Sequence, residues 1–128
     1  MHEKIEKGLE KIENLKGFEE VQFIILYGSA AEGRMNRESD IDLCIYYEGS
    51  PEEASRFRFN VLSELCDDIY DVQIYQQLPL YVKVEVLKGT VLYCKETKFL
   101  YEIANDTIRD FDAFKRRFYD YIGERAIT

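Results

Sequence analysis

Asp40 and Asp42 stand two residues apart at the head of an apolar run that continues to Tyr46. In an extended strand, positions two apart point to the same face, so this spacing presents paired carboxylates side by side. Two anions that close repel each other and lose solvation unless a cation sits between them. Hard oxygen donors of this kind suit Mg²⁺ or Mn²⁺, which bind through carboxylates plus substrate phosphates. Ten residues upstream, Gly28-Ser29 closes an earlier apolar run, Val21 to Tyr27. Gly28 permits a tight turn and close approach of backbone to a ligand. A helix starting at Ser29 would offer its free N–H groups to a phosphate. A phosphate cradle facing a metal-binding carboxylate pair is the equipment for phosphoryl or nucleotidyl transfer. The bland alternative is two solvated aspartates after an ordinary Gly-Ser turn.

The elements that must position these residues read as follows. Ile5, Leu9, Ile12 and Leu15 recur at helical spacing over residues 3–16, with Gly17 to end the helix. Val21 to Tyr27 is short and nearly all apolar, as a central strand buried on both faces should be. Ala30-Ala31-Glu32 is long enough for about one helical turn before Gly33. Arg34, Asn36 and Arg37 then form a polar loop. Ile41, Leu43 and Ile45 alternate with Asp42, Cys44 and Tyr46 as a second strand. Ser50 is the N-cap, Pro51 the first residue and Glu53 the capping-box partner of a helix running to about Asp67. Its buried side is Ala54, Phe57, Val61, Leu62 and Leu65, with Arg56 and Arg58 on the solvated face. Ile69 to Tyr75 is a third strand, with Asp71 an acid early in it, while Asp67 and Asp68 better fit the turn before. Residues 79–88 fit either a strand or a helix by pattern, and Thr90 to Cys94 a last strand. From Glu96 a helical segment carries Phe99, Ile103, Phe111, Phe114, Phe118 and Ile122, with a break expected at Asn105-Asp106-Thr107. So many aromatics imply both packing over the sheet's second face and a protein-binding surface.

The 128 residues suit one domain over 1–128, a core at 1–95 with a helical extension at 96–128. A formal charge of −8 repels an extended nucleic-acid template. Cys44, Cys66 and Cys94 lie far apart in apolar stretches, so buried reduced thiols are expected and a zinc site is not. His2, near the terminus, is the single histidine, which leaves histidine-based catalysis without a candidate. No run is long enough to span a membrane, and the start lacks a signal peptide's apolar core, so the expected location is cytoplasmic.

The string Gly28-Ser29, ten residues, Asp40-Ile41-Asp42 resembles the GSx10DxD motif of the DNA polymerase beta nucleotidyltransferase superfamily. The short chain resembles its smallest members, the minimal nucleotidyltransferases (MNT), often the antitoxin partners of HEPN-domain toxins. The resemblance implies an α/β (α+β) fold: a small mixed sheet of about four strands with helices packed on it, plus the long C-terminal helical segment. It favours helix for residues 79–88. It implies that Asp40 and Asp42 bridge two divalent ions, Mg²⁺ or Mn²⁺, and that Asp71 is the third acid, holding the catalytic ion. Gly28 and Ser29 would grip the β- and γ-phosphates of ATP or another NTP. Many relatives carry basic residues where this chain has Ala30 and Glu32, so Arg34 or Arg37 would supply the missing positive charge. The implied reaction moves AMP from ATP to a hydroxyl, a tyrosine of a HEPN toxin, with the chain as antitoxin. Two alternatives stay open: a non-catalytic partner that neutralises a toxin by occlusion, and transfer to a small-molecule hydroxyl. A homo-oligomer is also open. Phosphatases and glycosyltransferases with paired aspartates fit less well, for their accompanying motifs or chain size are missing.

Overall fold

The structure, a computed structural model, describes residues 2–28 and 40–127, with side chains as far as Gly123. Helix α1 (His2–Glu13) leads through a turn and a 3-10 segment into β1 (Val21–Tyr27). Then come β2 (Ile41–Tyr47), α2 (Pro51–Leu65), β3 (Tyr70–Ile74), α3 (Leu80–Leu87), β4 (Thr90–Cys94) and α4 (Thr97–Ile127). The strands form one mixed sheet in the order β3-β2-β1-β4. β1 runs antiparallel to both β2 and β4, whereas β3 is parallel to β2 and is reached by the α2 crossover. Antiparallel neighbours need only a turn, but a parallel pair needs a connection long enough to return the chain, which is what α2 supplies.

Strand alternation divides the core in two. Ile24, Leu26, Ile41, Leu43, Ile45, Val72 and Ile74 face α1 and α2, meeting Ile12, Phe57, Val61 and Leu65. Phe23, Ile25 and Cys44 face the other way and meet Val86 of α3, with Phe99, Leu100 and Ile103 of α4 packed against them. β1 is therefore buried on both faces, as its nearly all-apolar run requires, with Gln22 the one amide side chain buried in it. Each aliphatic side chain fully buried in this way contributes about 1.5–3 kcal/mol. Local signals agree with this packing. Ser50 accepts from the Glu53 amide at 3.1 Å while Glu53 accepts from the Ser50 amide at 3.1 Å, and Pro51 is the first helical residue of α2.

Several expectations are corrected. The third strand stops at Ile74, and Tyr75 belongs to a 3-10 turn over Tyr75–Gln77. Residues 80–87 are helical, as the resemblance favoured, with Pro79 placed as the cap rather than inside the first turn. α2 ends at Leu65 because Cys66 adopts a left-handed conformation, φ 47°, and this terminal position leaves its thiol exposed. Cys94 is half-buried, so of the three free thiols only that of Cys44 is buried. Leu62 is half-buried at the rim of the core. Arg58 is not on a solvated face: its Nε donates to the Val72 carbonyl at 2.6 Å, tying α2 to the edge strand β3.

The expected break at residues 105–107 is absent, and α4 is one continuous helix. The polar triplet does not interrupt the packing, because Asn105 and Asp106 point to solvent while Thr107 is buried and hydrogen-bonds the Tyr75 hydroxyl. From Cys94, which pairs with Phe23 of β1, α4 reaches Tyr46 of β2 through Phe99 and then Tyr75 beyond β3 through Thr107. It thus crosses the sheet. At 1.5 Å per residue its length is about 46 Å, against about 15 Å across four strands, so its distal half outruns the sheet.

Candidate active site

β1 delivers Tyr27 and Gly28, and the antiparallel register sets Tyr27 opposite Asp42 at the start of β2. On the other side of β2, the parallel register pairs Asp42 with Asp71. Adjacent strands lie about 4.8 Å apart, so these two carboxylates are neighbours on one face, the face shared with Cys44 and Tyr46. Asp40, exposed, immediately precedes β2, whose first amide, Ile41 N–H, donates to the Ile69 carbonyl at 2.7 Å. That bond fixes where β2 begins relative to the turn before β3, and so fixes the register of the two acids.

The electrostatics follow from the crowding. Burial, then Asp71, then Asp40 push the Asp42 carboxyl above the usual carboxylate range. Burial, then Cys44, Asp42 and Asp71 push the neighbouring Tyr27 phenol far above its ordinary value, so it stays protonated beside the acids. Cys44, the next residue on this face, is likewise held as a neutral thiol by burial, with Lys83 of α3 pulling weakly the other way. Asp67, one of the competing acids, is engaged in the turn, where its carboxylate accepts from the Ile69 amide at 3.1 Å and from Lys4 Nζ at 3.3 Å. Register therefore separates Asp71 from Asp67 and Asp68.

Gly28 is fixed on two counts. Its φ of 73° is left-handed, and a Cβ there would run into Oδ2 of Asp42. The close approach that the glycine permits is to the chain's own carboxylate. Ser29, Arg34 and Arg37 lie outside the described residues.

Two residues that sequence reasoning missed belong to this face. Gln73 Nε2 donates to Asp71 Oδ1 at 3.0 Å, orienting the acid from two positions along the same strand. Lys83 Nζ stands 5.4 Å from the centroid of the Tyr75 ring and borders a cavity of about 190 Å³ with Tyr46, Thr107, Asp106 and Asp110. The i, i+2 spacing of Asp71 and Gln73 was a signal for the first. Nothing local signals the second. A larger cavity, about 310 Å³, lies by Gly17, Tyr47 and Phe57, away from the carboxylates.

Among the described residues no three acidic, cysteine or histidine side chains stand close enough together to form a ready metal cage. Asp42 and Asp71 form the pair, with Asp40 at the mouth. The donor chemistry nonetheless fits a hard divalent cation: all oxygen, clustered negative charge, and one carboxyl whose ionisation is disfavoured until a cation compensates it. No described helix is long and apolar enough to cross a membrane.

Known proteins resemble this chain in sequence or in fold. A Methanocaldococcus jannaschii protein provisionally named protein adenylyltransferase MJ1547 is 34% identical over 66 residues, 52% of this chain and 49% of that protein. The chain thus spans about half the length of this curated relative. A chain of a toxin–antitoxin crystal structure with AMP-PNP superposes with TM-score 0.69 at 21% identity, covering 95% of each chain. A chain of the MntA–HepT toxin–antitoxin gives 0.66 at 16% identity, covering 97% of each. A third match, 0.61 at 18% identity over 95% of this chain and 92% of that one, comes from a tri-AMPylated Shewanella oneidensis HEPN toxin in complex with MNT antitoxin. At these identities the structures establish a shared fold. Residues 10–98, from within α1 to the start of α4, match the family described as Polymerase beta, Nucleotidyltransferase, and the chain belongs to that family.

Proposed function

We propose that this chain transfers AMP from ATP to a tyrosine hydroxyl of a HEPN-type toxin and serves as that toxin's antitoxin. The observation that carries the reading is the register pairing of Asp42 with Asp71, beside a left-handed glycine turn on which only a side-chain-free residue fits. The relative's adenylyltransferase name supports the chemistry, and the AMP-PNP and AMPylated-toxin complexes support the donor and the acceptor. Asp42 and Asp71, with Asp40, would hold Mg²⁺ or Mn²⁺, and a pair of such ions stabilises both attacking and leaving oxygens in displacement at phosphorus.

The chain's own residues do the rest. The acceptor oxygen forms a bond to the α-phosphorus, the bond from that phosphorus to the β-bridging oxygen breaks, and pyrophosphate leaves. The acceptor's proton passes to solvent or to Asp71, whose Oδ1 also accepts from Gln73 Nε2. Gly28, Ser29 and one of Arg34 or Arg37 would hold the triphosphate. Tyr27 and Cys44, both neutral, add no further negative charge to a site that must accept a polyanion.

The test uses the HEPN-type partner, ATP labelled in the adenosine and Mg²⁺. Wild type should label the partner, while Asp71→Asn should lose labelling yet still form the complex. If Asp71→Asn neutralises the toxin in cells as well as wild type does, occlusion is the mechanism and the transferase assignment to this pair fails. Label arriving on a small alcohol and never on protein would instead assign the small-molecule acceptor.

A further inference from the structure

The distal half of α4 carries an apolar seam. Leu100, Ala104, Thr107, Phe111, Phe114 and Phe118 follow alternating spacings of four and three, the period of a seam made to meet another helix. The first half is used within the fold: Leu100 packs on the second core and Thr107 is buried against Tyr75. The second half outruns the sheet. Phe114 is 49% and Phe118 48% exposed, and the Phe114 ring stacks on both Phe118 and Phe111, at 6.1 and 6.5 Å between centroids. Ile108 and Ile122 widen the same stripe and are also exposed.

Charge selects the occupant. Between Arg109 and Arg117 there are four cations and two anions, with Arg109 reaching Asp106 at 3.9 Å and Lys115 reaching Asp112 at 3.6 Å along the helix's exposed surface. At heptad spacing Lys115 flanks the seam on one side and Arg117 on the other. A second copy is disfavoured by both sterics and charge. Run parallel, it would collide with the sheet that covers the seam as far as Thr107. Run antiparallel, with Phe114 of each copy against Phe118 of the other, it would set Lys115 against Lys115 and Arg117 against Arg117. Like charges facing across such a seam are a device for rejecting a pairing.

We infer that the distal half of α4 is a docking seam for an amphipathic helix of another protein, apolar on one face and flanked by Glu or Asp. The inference stands apart from the transfer chemistry. The probes are two fluorescent helical peptides with leucine at the seam positions, one flanked by glutamates and one by lysines. Binding is read by anisotropy, with sedimentation and a melting curve on every variant. Wild type should bind the glutamate peptide at least tenfold more tightly than the lysine peptide. Phe114→Ser with Phe118→Ser should abolish binding, these rings being half-exposed. Lys115→Glu with Arg117→Glu keeps the seam's three phenylalanines, loses Lys115's place over the Phe111 ring and its pairing with Asp112, and should reverse the preference, provided its melting curve matches wild type. Asp71→Asn should bind the glutamate peptide like wild type, whatever becomes of AMP transfer. Failure of both peptides to bind wild type, or equal binding of both, overturns the inference. So does a wild-type dimer that Phe114→Ser dissociates, which would give the seam to a second copy.

Discussion

Gly28→Ala tests the geometry that joins the turn to the carboxylate. The backbone there has φ 73°, where an L side chain costs about 1–2 kcal/mol. The new Cβ would also run into Oδ2 of Asp42 and lie 3.4 Å from its Cγ. The carboxylate has Asp71 as a like-charged neighbour on one side, so it must rotate away from its preferred rotamer, at about 0.5–1.5 kcal/mol. Together these make about 1.5–3.5 kcal/mol. For a domain of this size that is a fall in Tm of roughly 5–15 °C. The assay is urea unfolding of wild type, Gly28→Ala, Asp42→Ala and the double variant, which closes a thermodynamic cycle. With Asp42 truncated the collision disappears and the left-handed cost remains. Gly28→Ala should then cost only about 1–2 kcal/mol, leaving a coupling of about 0.5–1.5 kcal/mol. Equal costs in the two backgrounds would refute the contact with Asp42, and no cost in either would refute the left-handed turn.

Asp42→Asn should make the metal-free protein more stable at neutral pH. The carboxyl's folded pKa is raised, so the folded state holds more protons than the unfolded one just above the ordinary carboxylate value, and stability falls as pH rises through that window. The asparagine variant lacks this loss, and the two proteins should converge at pH below the ordinary carboxylate range; melting curves against pH read the difference, and an asparagine variant that is less stable at neutral pH contradicts the crowding. Mg²⁺ should raise the Tm of wild type and leave that of Asp42→Asn nearly unmoved. Gly89→Ala should cost about 1–3 kcal/mol or more in urea unfolding, because its Cβ would run into the Leu26 carbonyl and sit 3.0 Å from Ile25 Cγ2. Of Arg34→Ala and Arg37→Ala, one should weaken ATP binding by about 1.5–3 kcal/mol in calorimetry without changing the melt. If neither does, backbone donors alone hold the phosphates.

What was legible in the sequence was local. The capping box of α2, the buried run of β1 and the Gly28-to-Asp42 spacing each rest on chemistry a few residues long, and each reappears in the fold. The choice of Asp71 over Asp67 and Asp68 needed the resemblance, because it depends on a register between strands joined through a helix. Thr107 was misread for a related reason. A polar residue in a helical run looks like an interruption unless its partner, Tyr75, is known to lie opposite. Cys66 shows the reverse case, an apolar-looking neighbourhood whose last position turns outward once the helix ends in a left-handed residue. Lys83 had no local signature at all, since only the folding of α3 over the sheet brings it to this face.

The two paired acids differ in how firmly their backbones are anchored. Asp42 lies in β2, bracketed by hydrogen-bonded ladders on both sides, whereas Asp71 lies in β3, the edge strand, with a ladder on one side and Arg58's bond to Val72 helping on the other. Amide protons around Asp42 therefore exchange only when the middle of the sheet opens, while those around Asp71 need only the edge to peel. One half of the pair is a fixed reference and the other half is adjustable, and under the proposed assignment the adjustable one lies on the acceptor's side. If the proposed transfer holds, an edge that yields by a fraction of an ångström would let acceptor side chains of slightly different approach reach the same phosphorus, without disturbing the strand that sets its position.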